Sequence, residues 1–378
     1  MIGDEPGIPF GRPPLSKTYL LRGEEALDGW FVAPPDWYGA HGIEVVRETV
    51  ARIDVYARRV ELSGGRAIDY AQLLIATGGR NRTLDIPGSR LAGILQLRTA
   101  AEADSIRAEA RGGAHAVVVG MGFIGCEVAS SLRQLGTSVT AVFPGEAPLG
   151  SVLGAEMGAV MTAIHREEGV ELMPQEEVVR FEGRERVERA VTRGGRSIAC
   201  DFAVVAVGIR PNVEVLEGTG IAVDNGILVD ATCRTNVPDV FAAGDVANHL
   251  HPLFGRVRVE HYNNAEKEGR AVARSMLRPG QQYDYLYTFW SDQYSHKLEY
   301  AGHVRKWDQF VVRGSTEKRQ LVGFYLVDGV LRAAVGLDRG GDPELEDGEM
   351  AKAARLIAKR ARPSPKDLAA EDNDLALL

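Results

Sequence analysis

Cysteine is scarce in this sequence, and none of it is placed to act together. Cys126, Cys200 and Cys233 are the only three, with no CxxC or CxxxxC spacing among them. That excludes a local redox disulfide and a cysteine-ligated zinc or iron–sulfur centre, and leaves small buried hydrophobes as the expected role. No apolar run approaches the roughly 18–20 residues that span a bilayer, so no membrane partner is expected. A basic excess is also missing: the net charge is −8, which argues against nucleic acid as a partner. Met1-Ile2-Gly3-Asp4 has neither a basic region nor an apolar stretch, so no export signal is read there and a cytoplasmic location is expected.

What is present suits a globular chain with ligand-approaching backbone. Its 378 residues are enough for two or three domains, and 43 glycines are many. Residues 43–75 read as short strands, followed by a helix in "TAAEADSIRAEARGG" that Gly112-Gly113 is placed to stop. "AHAVVVG" then gives a buried strand, "FIGCEVASSLRQLG" a helix and "SVTAVF" a second strand, and "MGAVMTAIHREEGVEL" repeats the helix–strand step. Further strands are read in "FAVVAVGIRPN", "GILVD" and "VPDVFAAGD", and a long helix in "HYNNAEKEGRAVARSML". From about Tyr287 the pattern becomes an antiparallel meander, closed by a helix over "PELEDGEMAKAARLIAKRAR" whose acids come early and bases late. Residues 363–378, rich in Pro, Asp and Glu, are expected to be a disordered tail.

Gly120-Met121-Gly122-Phe123-Ile124-Gly125 is a G-x-G-x-x-G between a predicted strand and a predicted helix, the context in which that pattern binds a dinucleotide. Gly120 permits the tight turn, Gly122 lets backbone approach a pyrophosphate, and Gly125 lets helix and strand pack closely. The helix N-terminus then offers free N–H groups to the anion. An acid normally follows about twenty residues on, to hold the ribose. Here Phe143 stands near that place and Glu146 is displaced, while no Arg or Lys occurs between Gln134 and Ile164. NAD is therefore favoured over NADP.

Three more segments fit a flavin site: "LLIATGG" (73–79), "TNVPDVFAAGDVA" (235–247) and "VGIRPN". Together with "RPPLSK", "LRTAAEADSI", "VVVGMGFIGCEVA", "VEHYNNA" and "FWSDQY", their order resembles the two-dinucleotide flavoprotein reductases. The resemblance is to the NADH:ferredoxin reductase branch of the pyridine nucleotide-disulfide oxidoreductase superfamily, the putidaredoxin, rubredoxin and dioxygenase type without a redox-active disulfide. It runs from about Ile2 to Leu368. It implies an α/β chain with two Rossmann-like (FAD and NAD(P)) dinucleotide-binding domains and a C-terminal α+β domain. The first FAD segment is expected at 1–100, the NAD domain at 101–222, the second FAD segment at 223–283 and the reductase domain at 284–362. Family members begin with a strand, a G-x-G-x-x-G and a helix. This sequence is expected to start after that unit, so that its first domain is N-terminally incomplete.

The resemblance also implies residue roles. Lys17 stands at the reactive edge of the flavin, with Glu127 close to it and to the nicotinamide. Arg12, Pro13, Val50, Ala76, Gly78, Arg98, Asp245 and Tyr262 line the FAD site. Gly120, Gly122, Ile124, Gly125, Glu127 and Gly208 hold NADH. No cysteine precedes Cys126, so electrons reaching the flavin leave directly, to a [2Fe–2S] ferredoxin or to a diffusible acceptor. Arg305, Lys306, Arg313, Lys318 and Arg319 are candidates for a basic docking rim, and Trp290 for the flavin edge. A monomer or homodimer is expected. Two other readings stay open. One is a nicotinamide-binding protein without a complete FAD site, and the other is an NADH:acceptor oxidoreductase of the apoptosis-inducing-factor type.

Overall fold

Valine-rich runs form the centre of a five-stranded parallel sheet. The strand His115–Val119 is buried along nearly its whole length, as a strand covered on both faces must be. It lies between Phe202–Val205 and Ser138–Phe143, with Ile94–Leu95 and Val170–Pro174 at the edges. The computed structural model describes residues 1–23, 27, 29–278 and 280–378. The chain divides into two compact units: Met1–Arg12, Leu27–Arg80 and Ile209–Tyr285 form the first, and Pro13–Ala26, Asn81–Gly208 and Leu286–Leu378 the second.

In the first unit, an antiparallel meander of Val50–Asp54, Arg59–Leu62 and Ala67–Asp69 realises the strands expected over 43–75. A short parallel pair follows, Leu73–Ile75 against Val240–Ala242, in the register Leu73↔Val240. A third sheet joins Ile227–Val229, Ala247–His251 and Gly255–Val257. Ile53, Ile75, Ile227, Val240, Ala242 and Val246 close the core between them, and the helix Tyr262–Leu277 supplies the buried residues Glu268 and Val272.

The second unit carries the parallel sheet and the helices between its strands. Ala100–Glu109 begins on a capping box, in which the Thr99 side chain accepts from the Glu102 N–H and the Glu102 carboxylate takes the Thr99 N–H. The helix Phe123–Gln134 leads from the glycine turn into the second strand, and Gly136, at φ +82°, ends it. Gly150–Glu167 starts earlier than the sequence pattern indicates and kinks at Gly154.

The C-terminal meander is a five-stranded antiparallel sheet of Thr288–Gln293, His296–Gly302, Val330–Leu337, Gln320–Val327 and Gln309–Ser315, in that spatial order. Its helix runs over Glu349–Ala358, not from Pro343. Gly348 in an extended conformation caps it, so the earlier acids lie in the preceding turn.

The expectation of a disordered tail at 363–378 is corrected. Pro365–Ala369 is helical, and Leu368 and Leu375 are buried. Arg313, read from the sequence as a docking cation, is 4% exposed and fastens this segment. Its Nε donates to Glu349 at 2.6 Å. Nη1 donates to the carbonyls of Leu368 and Ala370, and Nη2 to those of Glu371 and Asn373. All five guanidinium N–H groups are thus used. Two acidic side chains of the tail also bind back, Glu371 to Arg339 at 2.7 Å and Asp374 to Lys352 at 2.9 Å, attachments that composition does not reveal.

Candidate functional site

The glycine turn meets the sequence expectation atom by atom. Gly120 has φ +97°, and a Cβ there would lie 2.4 Å from the Ala206 carbonyl oxygen. A Cβ on Gly125 would lie 2.0 Å from the Gly120 oxygen, so strand and helix touch without side chains between them. At Gly122 the space a Cβ would take is open. Gly122 is also the N-cap of the helix, with no side chain filling the cap. An uncapped, open helix N-terminus is a fitting cradle for a pyrophosphate. Ile124 is exposed beside it, and exposed Gly208, at φ +91°, follows the neighbouring strand Phe202–Val205.

One turn into the same helix stands Glu127, only 4% exposed. Its carboxylate has three partners. Lys17 Nζ lies 2.9 Å from Oε2, and the Ser16 hydroxyl donates to that oxygen at 2.5 Å. The Ser291 hydroxyl donates to Oε1 at 2.7 Å. Lys17 itself is mostly buried and also donates to the Pro13 carbonyl at 3.2 Å.

Local structure explains this approach. Pro13 and Pro14 preset a 3₁₀ turn, Pro13–Ser16, at whose end the Pro14 carbonyl accepts from the Lys17 N–H. Ser131, on the helix Phe123–Gln134, anchors the turn by donating to the Ser16 carbonyl at 2.8 Å. Desolvating both ions costs several kcal/mol, and hydrogen bonds beyond the pair are needed to offset it. The two serines provide them. A buried cation and carboxylate held this closely form a fixed charge pair whose ammonium can face a bound ring.

Behind Ser291 the polar contacts continue. Gln293 Nε2 donates to the Ser291 oxygen at 3.1 Å, Gln293 Oε1 lies 3.0 Å from His165 Nε2, and His165 Nδ1 lies 3.1 Å from the Tyr294 hydroxyl. Ser291, Gln293 and His165 are all buried. Desolvation holds His165 down at about 4, against an opposing contribution from Gln293, so the ring is neutral.

The other predicted residues of this unit are spread more widely. Pro13 lies in the 3₁₀ turn, and half-buried Arg98 precedes the capped helix, its backbone N–H on Glu102 at 2.6 Å. Trp290 is half-buried, and Arg305, Lys306 and Lys318 are exposed. Arg319 is engaged with Glu167.

In the first unit, Ala76 and Gly78 follow the C-terminal end of the parallel strand Leu73–Ile75, and Asp245 follows its partner Val240–Ala242 in the turn Gly244–Val246. The carboxyl ends of parallel strands are where α/β sheets receive ligands. Ala76 is exposed there and Gly78 has φ +61°. Tyr262 opens the long helix, 36% exposed and edge-on to Trp30 at 5.5 Å. Val50 begins the meander, and Arg12 pairs with Glu5 at 2.5 Å. An open strand end with an aromatic pair suits a flat, phosphorylated cofactor.

Beneath the Asp245 turn, Glu268 Oε2 accepts from the Gly244 N–H at 2.7 Å, and the Cys233 thiol lies 3.9 Å from Oε1. Burial raises this carboxyl to about 8. All three cysteines are free and buried, which raises their thiols and keeps them from acting as nucleophiles.

Sequence reasoning missed Ser16, Ser291, Gln293, His165 and Glu268. Ser16 and Ser291 sit inside the quoted "RPPLSK" and "FWSDQY", but nothing in their spacing signals that both reach one carboxylate. Among the described residues no helix is long and apolar enough to cross a membrane.

Comparison with known proteins shows the family of the chain. The chain is similar to rhodocoxin reductase of Rhodococcus erythropolis, 36% identical across 100% of this chain and 87% of that one. It is 38% identical to the anthranilate 1,2-dioxygenase system ferredoxin–NAD(+) reductase component of Burkholderia cepacia, over 98% and 90% of the two chains. Among solved structures, the ferredoxin reductase for the CYP199A2 system from Rhodopseudomonas palustris superposes with a TM-score of 0.93 at 31% identity, covering 100% and 92%. The covalent putidaredoxin reductase–putidaredoxin complex gives 0.92 at 30%, covering 99% and 90%. The pyridine nucleotide-disulphide oxidoreductase model matches residues 1–269 and the reductase C-terminal model matches 288–378, and the chain belongs to that oxidoreductase family.

Proposed function

We propose that this chain carries electrons from NADH through FAD to a [2Fe–2S] ferredoxin or similar carrier that serves an oxygenase. The observation that carries the reading is the buried Lys17–Glu127 pair, whose glutamate stands on the same helix as the open glycine turn. Gly120, Gly122, Ile124, Gly125 and Gly208 hold the dinucleotide that donates. Arg12, Pro13, Val50, Ala76, Gly78, Arg98, Asp245 and Tyr262 hold the flavin, with 1–100 and 223–283 as its domain, 101–222 as the NAD domain and 284–362 as the reductase domain. The bound flavin supplies the conversion of a two-electron hydride donor into single-electron transfers.

The protein's part is electrostatic and positional. Lys17 presents a fixed positive charge where negative charge grows on reduction, so it needs no reorganisation at that moment. Glu127 keeps the ammonium in place, and the two serine hydroxyls keep Glu127 in place. With every cysteine buried and unpaired, no thiol intercepts the electrons, which supports direct exit to a carrier. Unpaired thiols also support a reducing, cytoplasmic location. The exposed Arg305, Lys306 and Lys318 remain as docking cations for an acidic partner. Buried Arg313 does not.

The test is direct. Purified protein should show a flavin absorption band and reduce a one-electron dye with NADH, and a [2Fe–2S] ferredoxin in place of the dye. A folded sample with no flavin, even after incubation with FAD, would reject the reading.

A further inference from the structure

The chain of buried side chains behind Glu127 has a direction, and that direction follows from the carboxylate at its head. A carboxylate only accepts. Ser291 has one proton, and at 2.7 Å from Oε1 it must be spent on Glu127. The Ser291 oxygen is then an acceptor toward Gln293, so the amide NH₂ faces the serine at 3.1 Å and the amide oxygen faces His165. That oxygen needs a donor at 3.0 Å, which places the imidazole proton on Nε2. The remaining nitrogen, Nδ1, is left as an acceptor for the Tyr294 hydroxyl.

Two facts outside the chain agree. Burial keeps the imidazole neutral and pushes the Tyr294 phenol up, so Tyr294 retains the proton to donate. The Tyr294 backbone N–H is itself held by Ser130 Oγ at 2.6 Å, from the helix that carries Glu127. Every proton therefore points the same way, from Tyr294 through His165, Gln293 and Ser291 to the carboxylate. Turning the Gln293 amide over would set two acceptors against each other at Ser291 or divert its proton from Glu127.

We propose that His165 is a positioning residue for the Lys17–Glu127 pair, holding the Ser291 proton on the carboxylate through Gln293. His165 touches neither Glu127 nor Lys17. It acts by its tautomer, which fixes the amide, which in turn fixes the hydroxyl. The proposal rests on the reading of Lys17–Glu127 as the charge pair of the flavin reaction, but its tautomer statement stands apart from that reading.

The test uses the full chain with ¹⁵N-labelled histidine, the His165 resonances being assigned by their loss in His165→Gln. Long-range ¹H–¹⁵N spectra should show neutral, Nε2-protonated imidazole across roughly pH 6 to 8. An Nδ1-protonated ring overturns the proposal. In the FAD-loaded protein, Ser291→Ala, Gln293→Leu and His165→Leu should each slow flavin bleaching by NADH about tenfold with NADH affinity unchanged, the size expected for one hydrogen bond to a charged group. Because the residues act in series, the doubles should be no slower than Ser291→Ala alone. His165→Gln, whose amide N–H replaces Nε2–H, should restore the rate, which separates positioning from damage to the fold. Additive doubles, or slow Ser291→Ala beside a normal His165→Leu, overturn the relay. Normal rates in Lys17→Met and Glu127→Leu would instead overturn the charge-pair reading, and the tautomer would then decide the relay alone.

Discussion

Of the three glutamates buried among the described residues, Glu127, Glu268 and Glu299, the first two lie in different units and are treated in opposite ways. Glu127 in the second unit has a lysine and two hydroxyls on its carboxylate. Glu268 in the first has a backbone N–H, the Asn264 side chain and a distant thiol, no cation among its described partners, and Asp245 nearby as a like charge. Burial is nearly equal, at 4% and 1% exposure. What differs is the company: a lysine and two hydroxyls on one carboxylate, and in the other a carboxyl that burial keeps protonated to about pH 8.

The contrast breaks most visibly at Lys17. Lys17→Met leaves Glu127 buried without its cation, and stability in denaturant should fall by about 3–5 kcal/mol, with NADH-driven dye reduction falling as well. If stability is unchanged, Glu127 is not held as a charge.

Glu268 should show itself by pH. Its carboxyl is raised from near 4.5 to about 8 in the fold, so the unfolded chain loses its proton first as pH rises. Its contribution is complete below roughly pH 4.5 and is lost as pH rises toward 8, about 5 kcal/mol in all. Glu268→Gln should reduce that slope, measured as denaturation midpoints between these limits, and leave the part that Glu299, raised to about 7, contributes.

His165 bends the curve from the acid side. Its folded value of about 4 lies below the unfolded 6.5, so the unfolded chain takes up the proton first as pH falls. Its share of the stability lost between about pH 6.5 and 4 is roughly 3 kcal/mol, and His165→Gln should remove that share while leaving the parallel loss from His249, also held at about 4.

Arg80 and Glu214 give the smallest effect and the control. Arg80 draws Glu214 down to about 2, but Glu214 is 61% exposed. Solvent screening leaves such a pair worth about 0–1 kcal/mol, so Arg80→Gln should scarcely move the midpoint. A large change would mean that exposure, not company, is the wrong axis of comparison.

Motif order made much of this legible. The glycine turn, its strand and helix, the meander over 43–75 and the C-terminal sheet all follow from local pattern, because their periods and glycines act within a few residues. Lys17 and Glu127 came only through resemblance, since 110 positions separate them and no spacing rule links them. Ser291 reaches Glu127 across 164 residues, and His165 meets Gln293 across 128. Serine, glutamine and histidine on buried strand and helix faces are ordinary in sequence, and they become informative only when the fold brings them together. The tail was misread because its composition is polar, while its attachment runs through backbone carbonyls, two buried leucines and two ion pairs, whose partners composition does not register.

The clamp at Arg313 also has a timetable. Its tail partners lie 55 to 60 residues further along the chain. At roughly 5–20 residues per second, the ribosome delivers the first of those carbonyls about three to ten seconds after Arg313 itself. Through that interval an edge strand of the sheet carries a cation with four unfilled donors. The last fastening of the C-terminal sheet therefore waits for the arrival of a leucine and a few carbonyl oxygens.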